Sequence, residues 1–181
     1  MQLLALYHNS CQNDGMRRIV PCSALTIRAE PIDAEAFAPY GDVVAQPRGG
    51  ARTDWSGALA HPRPQAAISF STANVAMTRF PASLTMMERH PHSFQTFIPL
   101  DVSGYLVCVA PNGADNLPVM DHLRAYIVPA GLGITYRAKA WHCPMMALDR
   151  PGQFAILMWM SDDGSDDEFV DLGKPVTVQG A

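Results

Sequence analysis

From residue 42 onward the chain is a succession of short apolar or alternating runs cut apart by Gly and Pro, and this pattern constrains it to a β-rich fold. Residues 42–45, 66–71, 75–80, 83–89, 96–100, 104–110, 123–128, 133–136, 145–147 and 154–160 are strand-sized, with hardly a helical pattern among them. Many short strands without helices to cover them imply an antiparallel barrel or a sandwich. The one good short helix candidate precedes them at 33–41, where Asp33 is an acidic N-cap and Gly41 a stop. An alternating strand at 26–31 leads into it. Residues 1–25 show no sustained period and read as a loose N-terminal extension, 26–172 as a single domain, and 173–181 as a C-terminal tail.

A chain of 181 residues with 48% apolar and 17% charged side chains can bury one core of ordinary size and is not a disordered or nucleic-acid-coating protein. Its formal charge of −4 gives no electrostatic reason for nucleic acid or an anionic membrane as partner. A small neutral or anionic metabolite fits better, because a pocket can be locally basic on an acidic protein. The cysteines Cys11, Cys22, Cys108 and Cys143 have no C-x-x-C spacing, so reduced thiols and a cytoplasmic location are expected. No apolar run reaches the roughly eighteen residues of a membrane helix.

Chemistry concentrates in two polar knots. The first, Glu88-Arg89-His90-Pro91-His92-Ser93-Phe94-Gln95, lies between apolar runs, and Pro91 makes it a turn between two strands. On a strand Glu88 and His90 face one way and Arg89 the other, since side chains alternate with period two. The second is Tyr136-Arg137-Ala138-Lys139-Ala140-Trp141-His142-Cys143-Pro144. If the knots face each other, His90, His142, Gln95 and Glu88 are the catalytic candidates. Arg124, on an apolar strand, is the best candidate to grip a carboxylate with two parallel hydrogen bonds. Tyr136, Arg89, Lys139 and Trp141 are further candidates for binding substrate. Each has a duller explanation: a surface ion pair for Glu88 and Arg89, a core histidine satisfied by a backbone carbonyl for His142, a barrel-end ion pair for Arg124, a solvated turn for Lys139 and packing for Trp141. Cys143 has no visible partners for a nucleophile's role. The acidic run at 162–168 reads as a solvated loop.

Taken together, Glu88-Arg89-His90-Pro91, Gln95-Thr96-Phe97-Ile98-Pro99, Leu123-Arg124-Ala125-Tyr126, Gly133-Ile134-Thr135-Tyr136 and Trp141-His142-Cys143-Pro144 closely resemble the bacterial ureidoglycolate lyases, as does the opening Phe37-Ala38-Pro39-Tyr40-Gly41-Asp42-Val43. The resemblance runs from about Ile32 to about Asp167. It implies a cupin-like antiparallel β-barrel (double-stranded β-helix, or jelly roll), a homodimer, and release of urea and glyoxylate from (S)-ureidoglycolate in allantoin catabolism, with nickel as the associated cofactor. The chain departs from the family pattern in the loop from Trp55 to Pro64, and His92 is not a family requirement.

Breakdown of this carbinol removes a proton from the hydroxyl and delivers one to the departing nitrogen, work suited to side chains titrating near neutrality. A divalent ion held by His90, Gln95 and His142 would instead act as a Lewis acid. His90-Pro91-His92 matches the first half of a metal-binding cupin signature, but Thr96 and Phe97 stand where its glutamate belongs, and only Glu88, upstream, offers a carboxylate. The alternative is a cupin acting on, or only binding, another small 2-hydroxy or 2-oxo acid.

Overall fold

The computed structural model describes residues 17–18, 24–45, 49, 52–59 and 63–181. In chain order they form β1 (Arg17–Arg18), β2 (Thr26–Pro31), α1 (Ala34–Phe37), β3 (Gly41–Val44), β4 (Ala67–Val75), β5 (Met77–Thr78), β6 (Ala82–Arg89), β7 (Gln95–Asp101), β8 (Gly104–Ala110), β9 (Arg124–Pro129), β10 (Gly133–Tyr136), β11 (Trp141–His142), β12 (Met146–Leu148), β13 (Gly152–Met160) and β14 (Glu168–Gln179). Most of the expected loose extension lies outside the described residues. Helix α1 starts where expected: Asp33 Oδ1 accepts hydrogen bonds from the backbone N–H groups of Glu35 and Ala36.

Strands β8, β9, β2, β14, β6 and β11 pair in sequence, and β11 returns to β8, closing a ring. A second sheet, β3-β10-β7-β13-β4, lies against it. The fold is mainly β with a closed barrel, as expected, but the ring is mixed rather than wholly antiparallel. β2 pairs parallel to both β14 and β9, and it reaches that slot from neither by a hairpin, the connection antiparallel neighbours can use. The expected tail is corrected as well: residues through Gln179 belong to β14, where Val176 and Val178 are fully buried and pair with Leu84 and Ala82.

Two cores result, and β8 separates them. Leu106, Cys108 and Ala110 pack inside the ring, while Tyr105, Val107 and Val109 pack between the ring and the second sheet. All seven residues of β8 are therefore buried, which is why its sequence is continuously apolar rather than alternating. Strand β6 behaves differently. Ala82 and Leu84 face the ring core, yet so does Met87, so the alternation changes phase between Leu84 and Met87. The partner strand β14 has its register irregularity at the same level, between Asp171 and Val176. The phase change turns Glu88 out of the ring core and towards the second sheet.

Gly41 opens β3 opposite Tyr136, and a Cβ there would lie 1.9 Å from the Thr135 carbonyl oxygen, with backbone on the far side of the contact. Gly41→Ala is expected to force β3 away from β10 and lower stability by about 1–3 kcal/mol, read as a lower urea midpoint at unchanged slope.

Candidate functional site in the seam between ring and sheet

Among the crossings between the two sheets, one runs from ring to second sheet between β6 and β7, and another from second sheet to ring between β10 and β11. Each of these two crossings is one of the two polar knots. Glu88 and His90 therefore line one wall of the seam and Gln95 the other, while Tyr136 and His142 are divided the same way. The crossings are tied together by the Lys139 N–H, which donates to the His90 carbonyl at 2.8 Å, with Lys139 in the left-handed region at φ 71°.

The groups meet. Glu88 pairs with His142 across β6 and β11, and its Oε1 lies 3.4 Å from His142 Nε2. Gln95 Oε1 reaches the same nitrogen from the other wall at 3.1 Å, while its amide N–H donates to the Met158 sulfur. The Tyr136 ring stacks on His142 at 4.0 Å, and the His90 and His142 rings are 5.4 Å apart. Glu88, His90, Gln95, Tyr136 and His142 are all buried, so the surface-pair reading of Glu88 does not hold.

Each imidazole is held by Nδ1. His142 Nδ1 donates to the Ala140 carbonyl at 2.9 Å. His90 Nδ1 donates to the Asp166 carbonyl at 2.9 Å and lies 3.1 Å from Asp167 Oδ1. With Nδ1 so fixed, both Nε2 atoms turn into the seam. His142 Nε2 meets two oxygens, an arrangement satisfied by a bound proton or a cation, and His90 Nε2 is buried with no partner among the described residues.

One ligand atom each from Glu88, His90 and His142 lies within 4.8 Å of the others, a set that could hold a metal ion. Two ligands of a tetrahedral ion at about 2.1 Å stand about 3.4 Å apart, which the Glu88–His142 contact matches. Anchored Nδ1 atoms are the usual support for histidine ligands. The donor set thus fits a divalent cation, with Glu88 as a carboxylate member and Gln95 Oε1 standing 3.1 Å from His142 Nε2 beside it.

Arg124 pairs with Val109, which pairs with His142, so the three share a face two strand spacings across, about 10 Å. The guanidinium is exposed, makes no hydrogen bond or ion pair among the described residues, and interacts electrostatically with Tyr40 and Tyr126. Two candidates are corrected. Arg89 and Trp141 sit one residue from Glu88 and His142 and so face away from the seam. Trp141 packs in the ring core, and Arg89 lies over its ring, giving its donors to Glu168, Asn112 and Asn116. Lys139 is exposed on its turn, and it joins the site through its backbone.

The sequence reading missed Asp166 and Asp167. The acidic run is not wholly solvated: Asp166 is 4% exposed, and both aspartates contact a histidine more than seventy positions away. No local pattern signals a contact of that separation.

Burial is the largest influence on Glu88 and pushes its carboxyl up, but the hydrogen bond and charge of His142, with His90, outweigh it and hold it below its ordinary value. Burial likewise pushes His90 down most, and the Asp167 hydrogen bond and the Glu88 charge overcome it, raising His90 to about 9. A family model described as ureidoglycolate lyase matches residues 24–179. A putative ureidoglycolate lyase of Agrobacterium fabrum is 32% identical over 157 residues, covering 84% of this chain and 94% of that protein. The ureidoglycolate lyase of Burkholderia cepacia is 35% identical over 72% of this chain and 78% of its own, and that of Schizosaccharomyces pombe 29% identical over 80% and 90%. Among solved structures, RmlC from Streptococcus suis aligns at TM-score 0.38 and 10% identity over 55% of this chain and 47% of its own.

The two shifts set a stability window for the metal-free protein. His90, raised above its unfolded value of 6.5, contributes stability that is complete below that value and is lost as pH rises towards about 9. Glu88, held low, contributes stability above its unfolded value of 4.5 that is lost as pH falls. Urea midpoints are expected to be highest at about pH 5–6.5 and to fall on both sides. In His90→Gln the fall between pH 6.5 and 9 should disappear.

Proposed function

This chain belongs to the ureidoglycolate lyase family, and we propose that its seam cleaves ureidoglycolate into glyoxylate and urea, the urea-releasing step of allantoin catabolism. The observation that carries the reading is the buried His90 Nε2, without a hydrogen-bond partner among the described residues, beside the Glu88–His142 pair. An acid and a base pushed apart in pKa within one site are what the reaction requires. Glu88, held charged by its contact with His142, takes the hydroxyl proton as the carbinol oxygen becomes the aldehyde of glyoxylate. The carbon–nitrogen bond breaks, and His90, protonated at neutral pH, gives its Nε2 proton to the departing nitrogen. No water is consumed and the protons balance. Groups positioned this way typically contribute about 10²–10⁴-fold each. Gln95 orients His142, and the free Arg124 guanidinium, flanked by Tyr40, takes the substrate carboxylate.

A second reading is favoured by the spacing of the three ligand atoms. A divalent ion, nickel by the family resemblance, would be held by Glu88, His90 and His142 and would supply Lewis acidity towards the substrate hydroxyl. Arg124 and Gln95 keep the same tasks in that case.

Purified protein with racemic ureidoglycolate should release glyoxylate and urea together at equal rates, and ammonia appearing first would overturn the lyase reading. Arg124→Gln should raise KM about tenfold or more, the loss of a charge-assisted hydrogen-bonded pair, with a smaller change in kcat. Full activity after exhaustive chelation selects the acid–base version, and loss restored by nickel selects the metal. We also propose a homodimer, since the outer face of the second sheet carries Ile68, Phe70 and Leu100, each more than half exposed. Sedimentation should give the mass of two chains, and Phe70→Lys should shift it towards one. The expected cytoplasmic location completes this reading; among the described residues no helix is long and apolar enough to cross a membrane.

A further inference from the structure

Arg63 lies in the segment before β4 and is only 8% exposed. Its guanidinium gathers the segment between β13 and β14. Nη1 donates to Ser161 Oγ at 2.8 Å and Ser165 Oγ at 3.1 Å, and Nη2 to Asp166 Oδ2 at 2.8 Å and Ser93 Oγ at 3.4 Å, leaving Nε alone without a partner among the described residues. The segment is already shaped by Asp163 Oδ1, which accepts from Ser161 Oγ and from the backbone and hydroxyl of Ser165. Arg63 fastens that preformed loop to the body of the protein.

Asp166 carries the connection inward. Its Oδ1 accepts the His92 N–H at 2.7 Å, and its backbone carbonyl takes the proton of His90 Nδ1. Asp167 Oδ1 touches the same nitrogen. Every hydrogen-bond partner of the His90 ring among the described residues is therefore a loop residue, and whatever fixes the loop fixes the direction of Nε2. A buried ion pair is a poor device for stability alone, because an apolar pair of similar volume serves as well. A planar fork that reaches three loop side chains at once is a good device for aim.

We propose that Arg63 and Asp166 are a positioning pair that holds the loop 161–167 as the cover of the seam and thereby aims the His90 imidazole. The proposal rests on the reading of the seam as a catalytic site. The variants are Arg63→Gln, Asp166→Asn and the double Arg63→Met with Asp166→Asn, which strands no charge and keeps an acceptor for the His92 N–H. Arg63→Lys is the conservative rescue. The first readout needs no substrate: the downfield ring Nδ1–H signal of His90 in metal-free protein labelled with ¹⁵N-histidine, identified by its loss in His90→Gln. The signal is expected in the wild type, lost in the double variant and partly kept in Arg63→Lys. In the double variant kcat should fall at least tenfold while KM moves less than threefold and the urea midpoint holds. If the single variants do not fold, the double variant decides. A double variant with the wild-type signal and kcat overturns the pairing, as does a lowered midpoint with wild-type kcat in the folded fraction. If wild-type protein shows no turnover yet the ring signal responds as expected, the catalytic reading fails and the positioning pair stands.

Discussion

A carboxylate at Glu88, 5% exposed in a seam walled by aromatic and aliphatic groups, is the constraint on which the rest of the arrangement depends. Removing one ion from water costs several kcal/mol unless partners replace the lost hydration. His142 and His90 are those partners, and neither could serve if its ring were free to turn. The carbonyls of Ala140 and Asp166 therefore hold the two Nδ1 atoms, and the walls hold the carbonyls. The site is a chain of obligations that begins with one buried charge. Its rigidity is a condition for tolerating that charge at all.

The fold meets the condition by making both walls from chain crossings. The chain passes repeatedly between ring and second sheet, and two of those crossings, β6 to β7 and β10 to β11, deposit polar groups on opposite sides of one gap. A hairpin within a single sheet would have set Glu88 and Gln95 side by side, whereas a crossing sets them face to face. The phase change in β6 matters equally, because uninterrupted alternation from Ala82 and Leu84 would have pointed Glu88 into the ring core, where Cys108, Trp141 and Cys143 offer no comparable charge. β8, apolar on both faces, lets one strand serve both cores and keeps the seam close to the centre of the protein.

What was legible in the sequence was local. Glu88, His90 and Gln95 lie within eight positions, and a turn at Pro91 between two apolar runs needs no knowledge of distant contacts. The alternation argument correctly put Glu88 with His90 and against Arg89. It could not say that Arg89 would satisfy itself on Glu168 and the two asparagines, because those partners come from other elements. Residues 173–181 read as a C-terminal tail, yet the register irregularity between Asp171 and Val176 returns Val176 and Val178 to the core. Arg63 and Asp166 are 103 positions apart, and each sits in a segment whose composition is that of an ordinary surface loop. Only packing shows that both are buried.

The cover over His90 bears on which bond breaks. Ureidoglycolate has two labile positions, the carbinol carbon–nitrogen bond and the terminal amide, and loss of the amide requires a water molecule as nucleophile. Loss of urea requires only that protons be moved between groups already in the substrate. In the proposed reading the acid and base of the seam are buried, His142 is flanked by a stacked Tyr136 ring, and the loop tied to Arg63 holds His90, so the site supplies proton carriers while leaving little room for a reacting water. The same burial that makes Glu88 expensive thus biases the chemistry towards elimination: groups that must satisfy one another in the absence of solvent are also groups that can exchange protons through a substrate placed between them.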